Sequence, residues 1–407
     1  MCSKVGTRPK SYEKTAGGLC CPVCATDEVS VFWEMRDLPL KCNVLCSTRE
    51  EALAVPRGDI RLAVCHSCGF IYNTLFNAST MQYDAGYENA LHFSARFREY
   101  AESLARRLID KYNLRQKDIL EIACGDGYFL RLLCELGNNR GIGFDPSYVE
   151  DTSKGNTYSN VAIIPDYYGE QYADRKADLI CCRHALEHVP DPVGFLRMVR
   201  RAMGECRDTA VFFEVPNALF ILRDLSVWDI IYEHCSYFSA AALAKCFSRS
   251  GFAVEAVTEE YDGQFLSLEA QPVTDRPGGL SAELGNPAEV VREAALFAGR
   301  FGEKSQKWAD RMEALRRAAE RVVVWGAGSK GVTFLNMMKG ADLVEYVVDI
   351  NPRKQGMFAA GTGQRIVSPE FLRDHRPGTV VVTNAIYTDE IRNAFGRIQL
   401  SPELVTV

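Results

Sequence analysis

Between Lys117 and Leu133 the hydrophobic pattern changes its period. Ile119, Leu120 and Ile122 make a short apolar run, Gly125 and Gly127 interrupt it, and apolar positions return at helical spacing from Tyr128 to Leu133. The stretch predicts a strand, a glycine turn and a helix. Further strands are predicted over Gly141 to Asp145, Val161 to Asp166, Ala177 to His184 and Ala210 to Asn217, with helical segments between them. Phe97 to Tyr112 has helical periodicity and leads into the first of these strands. The same order recurs near the end of the chain: Val322 to Trp325, glycines at Gly326, Gly328 and Gly331, then strands over Val344 to Asp349 and Thr379 to Asn384. Residues 271–285 are rich in proline, glycine and polar side chains and read as a linker, and an amphipathic helix follows from about Pro287 to Arg321.

Strands alternating with helices give an α/β fold with a doubly wound sheet, followed by a smaller Rossmann-like unit. The expected organisation is a flexible tail (1–19), a cysteine-bearing domain (20–80), a connecting loop and helix (81–113), the main sheet (114–270), a linker and helix (271–320) and the C-terminal unit (321–407). A length of 407 residues agrees with two or three domains, and 47% hydrophobic with 25% charged residues is ordinary globular composition. The formal net charge of −6 at pH 7 argues against a general nucleic-acid binder. The sequence holds no apolar run long enough for a membrane span and no apolar signal region near Met1, so a cytoplasmic location is expected.

Fifteen cysteines in a chain of this kind divide more readily into metal ligands and free thiols than into disulfides. Cys21 and Cys24 form one C-x-x-C knuckle and Cys65 and Cys68 another. Four thiolates so paired are expected to close a structural Zn²⁺ site with no open position for substrate. A redox pair or unligated thiols are the alternatives.

The first glycine turn points to a nucleoside cofactor. Glycines let the backbone come close to a ligand, and Asp145 at the end of the next strand stands where a doubly wound sheet offers a carboxylate to a ribose. Glu121 before the turn and Asp126 inside it would repel a pyrophosphate and suit a cationic ligand. The segment E-I-A-C-G-D-G resembles motif I of class I S-adenosylmethionine (SAM) methyltransferases, E-x-G-x-G-x-G, with Ala123 in place of the first glycine. The resemblance implies SAM binding by Glu121, Ala123, Gly125, Asp126, Gly127 and Asp145, joined by Asp166 and His184 at later strand ends. The segment H-A-L-E-H-V-P-D-P from His184 resembles the part following the fourth strand in that class; Glu187 and His188 within it are expected to cap and pack the next helix.

Acid–base chemistry is expected between Trp228 and Ser239, where Tyr232, Glu233, His234 and Tyr237 stand beside apolar residues. A histidine satisfied ahead of a helix capped by Ser239 is the alternative there. Tyr83, Tyr87 and His92, in an aromatic and amide-rich loop, either line a ligand pocket or pack on a neighbouring domain. Glu214 lies inside an apolar run and needs a partner or a raised pKa. The C-terminal turn matches G-x-G-x-x-G, a weak signal alone; with Lys330 it suits a phosphate of the substrate's nucleotide, with bound NAD as the alternative.

Taken over nearly its whole length, the chain resembles the sugar C-methyltransferases of nucleotide-deoxysugar pathways, which join a zinc domain, a SAM domain and a Rossmann-like domain. The segments G-A-G-S-K-G with D-I-N-P-R-K-Q-G, and E-V-P with Y-E-H-C-S-Y-F-S, resemble that family's G-A-x-x-K-G, D-x-N-P-x-K-Q-G, E-V-P and Y-H-E-H-x-S-Y-F-S. The family's presumed general base falls on His234 and the preceding glutamate on Glu233. Its tyrosine three positions before the histidine falls on Ile231, and Tyr232 stands one place later. The resemblance implies a nucleotide-linked keto-deoxysugar from which His234 removes the proton beside the ketone, with Tyr232 or Tyr237 stabilising the enolate oxygen. Two alternatives remain: methylation of oxygen or nitrogen on another small metabolite, and a metabolite-binding protein that has lost turnover.

Overall fold

The computed structural model describes residues 18–81, 86–150, 160–206, 208–273 and 285–407. Most of the expected tail (1–19) and most of the expected linker (271–285) lie outside these residues.

Val29–Pro39 (β1), Arg57–Cys65 (β2) and Ile71–Asn73 (β3) form an antiparallel meander. Asp118–Ile122 (β4), Arg140–Phe144 (β5), Val161–Ile164 (β6), Leu179–Arg183 (β7) and Ala210–Pro216 (β8) are parallel. Ser236–Tyr237 (β9) then returns to the first sheet and pairs with β3. Phe252–Glu260 (β10) and Phe265–Pro272 (β11) complete the central sheet antiparallel to β8, in the order β10-β11-β8-β7-β4-β5-β6. Val322–Trp325 (β12), Val344–Val348 (β13), Arg365–Val367 (β14), Thr379–Val382 (β15) and Glu403–Thr406 (β16) make an all-parallel sheet ordered β14-β13-β12-β15-β16. In both parallel sheets the winding reverses beside the strand that carries the glycine turn. A ligand crevice opens at such a reversal because the loops on either side diverge.

The expected helices are present with ends shifted by a few residues. The connecting helix runs Ala95–Tyr112, capped by Ser94, whose hydroxyl accepts from Phe97 N. The long helix runs Pro287–Arg317 and stops before Arg321. Ser239 caps Ala240–Ser248 as expected, accepting from Ala242 N. The domains are not independent beads. One apolar core joins Leu62 and Ile71 of the first sheet, Trp228, Phe297 and Phe301, and Val324 and Phe334 of the C-terminal unit. Trp33 packs edge-on against both Phe297 and Phe301, with ring centroids 5.1 and 5.0 Å apart. The long helix thus ties the first sheet to the C-terminal unit, so the two reversal points are held facing one another.

Candidate active site

The first glycine turn is strained where the sequence departs from glycine. Ala123 has φ 56°, as does Gly125, and Gly127 has φ 78°. A left-handed conformation costs a residue with a Cβ about 1–2 kcal/mol. A Cβ added at Gly125 would meet nothing within 4 Å, whereas one at Gly127 would lie 2.4 Å from Ile163 Cδ1. Asp145 closes the turn from β5: its carboxylate accepts from Gly125 N at 2.8 Å and from Ser147 N and Oγ at 2.8 and 2.6 Å. Glu121 is buried, with Oε2 lacking a hydrogen-bond partner. Burial pushes its pKa up to about 8, with Arg183 pulling the other way. An acidic cleft with an open glycine backbone fits the cationic sulfonium and ribose of SAM. Asp166, one strand further, is occupied by Tyr172, whose hydroxyl donates to it at 2.7 Å.

His92 belongs to this turn. Its ring stacks on Tyr128 at 4.6 Å, and Nε2 lies 3.7 Å from Asp126 Oδ2. The neighbours Leu91 and Phe93 line a separate cavity of about 290 Å³ that opens between the ends of β7 and β8 and those of β12, β13 and β15. His92 thus stands at the cofactor turn beside the cavity and, unlike its neighbours, is not among the residues that line the cavity, where it was expected to meet substrate. Arg353 braces this segment from the C-terminal unit by pairing with Glu88 at 2.9 Å and Asp126 at 3.4 Å.

Among the expected site residues, Tyr87, His184, His234 and Lys330 line the cavity, and Tyr83 lies outside the described residues. His184 leaves β7 with φ 52° and sets Nε2 2.8 Å from Glu214 Oε1. Glu214 does not face the cavity. It is wholly buried within the sheet, takes Arg183 at 2.8 Å and accepts from the Tyr100 hydroxyl. Burial alone would raise its pKa, but Arg183 and His184 outweigh it and hold it near about 2. The guanidinium also stacks over the Phe129 ring at 4.2 Å. Glu214 is thus a support for His184 and the sheet core. Glu214→Ala leaves Arg183 buried and unpaired, which costs about 3–5 kcal/mol; urea unfolding should show that loss, and a change under 1 kcal/mol would rule out this support.

The segment around β9 departs furthest from expectation. Only His234 of its four candidates enters the cavity. Glu233 is buried and turned toward the first sheet, accepting from Cys42 N at 2.5 Å and Tyr87 OH at 2.6 Å. Tyr232 accepts at its hydroxyl from Asn77 N at 3.1 Å and packs on Phe76. Tyr237 donates to the Ile231 carbonyl at 3.2 Å. Hydrogen bonding takes these phenols and the carboxylate into the fold, because buried polar groups must be paired. They position the segment and do not line the cavity. Ile231 lines the cavity against Val332, so an apolar side chain stands where a tyrosine was sought.

His234 is half-buried at the cavity. Burial lowers its pKa to about 3; the Asp229 backbone carbonyl opposes that shift, while His184 and Lys330 add to it. Its Nδ1 has no hydrogen-bond partner. Lys330 reaches across from the second turn to an ion pair with Asp229. In that turn Ala327 N and Asn351 N both donate to Asp349 at 2.8 Å, and a Cβ on Gly331 would fall 1.8 Å from Gly326 O. The helix Ser329–Met337 opens on Gly328 without a side-chain cap, and Gly328, Ser329 and Lys330 line the cavity.

Glu187 and His188, expected to cap and pack a helix, also line the cavity. They sit on a short 3₁₀ turn, Leu186–His188, while Asp191 caps the following helix by accepting from Gly194 N. A carboxylate oxygen of Glu187 and ring nitrogens of His188 and His234 lie within 4.8 Å of one another. Gln264, Asn384 and Asp349 line the cavity too. Nothing in the local pattern distinguishes these from ordinary turn residues; only the meeting of two sheets selects them.

The knuckles converge as their spacing suggests. Cys21 Sγ lies 3.6 Å from Cys68 Sγ and Cys24 Sγ 3.5 Å from Cys65 Sγ, and none is in a disulfide. A tetrahedral ZnS₄ centre with bonds of about 2.3 Å has sulfurs about 3.8 Å apart, so the four residues fit that ion. Among the described residues no helix is long and apolar enough to cross a membrane.

The chain matches two family models, a methyltransferase domain over residues 92–257 and a C-methyltransferase C-terminal domain over residues 283–400. It is 24% identical over 389 residues to C-methyltransferase NovU of Streptomyces niveus, covering 91% of this chain and 90% of that protein. A shorter match, 29% identical over 102 residues, covers 22% of this chain and 32% of a tRNA U34 carboxymethyltransferase of Nautilia profundicola. Among solved structures, magnesium protoporphyrin IX methyltransferase of Synechocystis PCC 6803 with bound SAH is 17% identical, covers 44% of this chain and 84% of its own, and has a TM-score of 0.34.

Proposed function

We propose that this chain, an α/β enzyme of the class I fold and a SAM-dependent methyltransferase, transfers its methyl group to the carbon beside the ketone of a nucleotide-linked keto-deoxysugar. The observation that carries the proposal is His234 standing in a cavity shared by the SAM-binding domain and a C-methyltransferase C-terminal domain. The similarity to NovU over most of both chains supports transfer to carbon.

The cofactor turn holds SAM through Asp145 and the open backbone around Gly125, with Asp126 favouring its positive charge. Bound there, SAM supplies an electrophilic methyl. The second glycine turn and the uncapped N-terminus at Gly328 hold the substrate's diphosphate, since helix N-termini favour anions. Lys330 flanks that anion while fixed by Asp229. His234 is neutral, because burial keeps it so, and Nδ1 is the ring atom left to take the proton beside the ketone. The carbon freed of its proton is then the nucleophile that takes the methyl. Ile231, packed on Val332, lines that end of the cavity with an apolar side chain. The four cysteines would hold a structural Zn²⁺ in a closed site that leaves no position for substrate.

The test is mass spectrometry of the purified protein with SAM and a panel of nucleoside-diphosphate 4-keto-6-deoxysugars, run also in heavy water. The expected result is one methyl gained on carbon, with deuterium exchange beside the ketone. If the panel shows neither transfer nor exchange while SAM still binds, the keto-sugar acceptor is excluded, and methylation of oxygen or nitrogen on another small metabolite takes its place.

A further inference from the structure

A base that removes a proton beside a ketone needs a partner at the ketone oxygen, where charge develops. The phenols near His234 do not serve: Tyr232 and Tyr237 do not line the cavity, Tyr237 donates to the Ile231 carbonyl, and Tyr87 donates to Glu233. Lys330 is held by Asp229. His188 Nδ1 lies 3.1 Å from the Glu233 carbonyl, which can only accept, so Nδ1 carries the proton and Nε2 has none to give. Gln264 and Asn384 bond each other, at 2.9 and 3.2 Å.

Glu187 is different. It is 2% exposed, lines the cavity, and its Oε2 has no hydrogen-bond partner. Its backbone carbonyl accepts from Cys235 N at 3.0 Å, which fixes it relative to the residue following His234. The ketone oxygen and the adjacent carbon of a substrate are about 2.4 Å apart, from bonds of about 1.2 and 1.5 Å. Two groups that each reach about 3 Å can straddle them when they stand a few ångströms apart. A carboxylate oxygen of Glu187 and a ring nitrogen of His234 lie within 4.8 Å of one another, which is such a separation.

We propose that Glu187 is the proton donor to the ketone oxygen, acting opposite His234 on the same substrate; the inference rests on the keto-sugar reading above. His234 takes the carbon-bound proton, and the released pair becomes the C=C bond of an enol. The carbonyl π pair takes the Glu187 proton, leaving a carboxylate. As the C=C pair forms the new carbon–carbon bond, the pair of the broken carbon–sulfur bond stays on sulfur. The O–H proton returns to Glu187 as the ketone re-forms, and the one proton released leaves from His234. Burial, and next the charge of Glu214, raise the Glu187 pKa to about 8, so its acid form is present at neutral pH. The titratable groups around it are His184, with Nδ1 at 4.0 Å, then His188, His234, Glu214, Cys182 and Cys235. A divalent cation held by Glu187, His188 and His234 is disfavoured by Lys330, whose charge already acts on His234.

The experiment compares wild type with Glu187→Gln, which keeps shape but cannot pass a proton, and Glu187→Asp. Deuterium exchange beside the ketone is followed in heavy water with S-adenosylhomocysteine bound, so that no transfer intervenes. Exchange is expected to fall about 10²–10⁴-fold in Glu187→Gln and to recover partly in Glu187→Asp, with cofactor affinity unchanged in both. The basic limb of wild-type kcat near pH 8 is expected to vanish in Glu187→Gln. Exchange at the wild-type rate in Glu187→Gln overturns the role of Glu187 alone. Absence of exchange in wild type with every keto-sugar overturns the acceptor reading and this inference with it. Elemental analysis completes the test: a metal equivalent beyond the four-cysteine site, lost in Glu187→Gln, overturns the proton-donor role in favour of a cation site.

Discussion

Replacing His234 by alanine is expected to lower methyl transfer by about 10²–10⁴-fold, the usual contribution of a positioned base. The side chain lies at the cavity, not at the cofactor turn, so SAM affinity measured by calorimetry should be unchanged. The pH dependence separates this residue from an ordinary histidine. Because burial holds its pKa near about 3, the neutral form persists far below the usual value of about 6.5. Transfer should therefore show no acidic limb near pH 6.5. The same depression makes a sign-determined contribution to stability: the unfolded chain binds a proton here below about pH 6.5 and the folded chain does not, so stability falls as pH drops through that window. Loss of activity in His234→Ala accompanied by loss of SAM binding would instead mark a structural role. An acidic limb at the ordinary histidine value would show that the ring is wet in solution.

Removing the metal from the cysteine cluster is expected to have the larger effect on folding. A structural four-cysteine zinc contributes about 10–16 kcal/mol of apparent binding free energy. Here the cluster pins Cys65 at the end of β2 and Cys68 just before β3, and β3 pairs with β9 two residues beyond His234. Cys65→Ser or exhaustive chelation should therefore lower the melting temperature and abolish transfer through loss of the β3–β9 pairing. The turn around Gly125 belongs to a different sheet, so SAM binding should survive at temperatures where the central sheet is folded. The checks are metal content, thermal unfolding and SAM binding measured together. Unchanged stability with the metal gone would show that the thiols alone, packed beside Phe70 and Tyr72, suffice.

The elements most readable in advance were those with strong local pattern. Ile119 to Leu133 specifies its strand, turn and helix because apolar period and glycine placement change within a few residues. The two C-x-x-C knuckles were readable because thiolate spacing is itself the chemistry. The site around His234 was readable only in part. The cluster of Tyr232, Glu233, His234 and Tyr237 looks like one catalytic patch along the chain. Yet residues so close in an irregular segment point in different directions, and three of the four are drawn into hydrogen bonds of the fold. Glu214 was marked as a carboxylate needing a partner, but its partners Arg183, Tyr100 and His184 come from three other places in the chain.

Sequence alone determined the two glycine turns, the strands that bear them and the pairing of the two cysteine knuckles, and it singled out His234 as a candidate. Each of these is encoded in residue type at short spacing, where the backbone leaves few alternatives. Tertiary structure alone decided which side chains share the cavity. Glu187 and His234 are far apart in sequence and meet because β9 leaves the central domain to pair with β3, while the helix Pro287–Arg317 holds the second reversal point over the first. Such a meeting depends on long-range packing, which no local period carries.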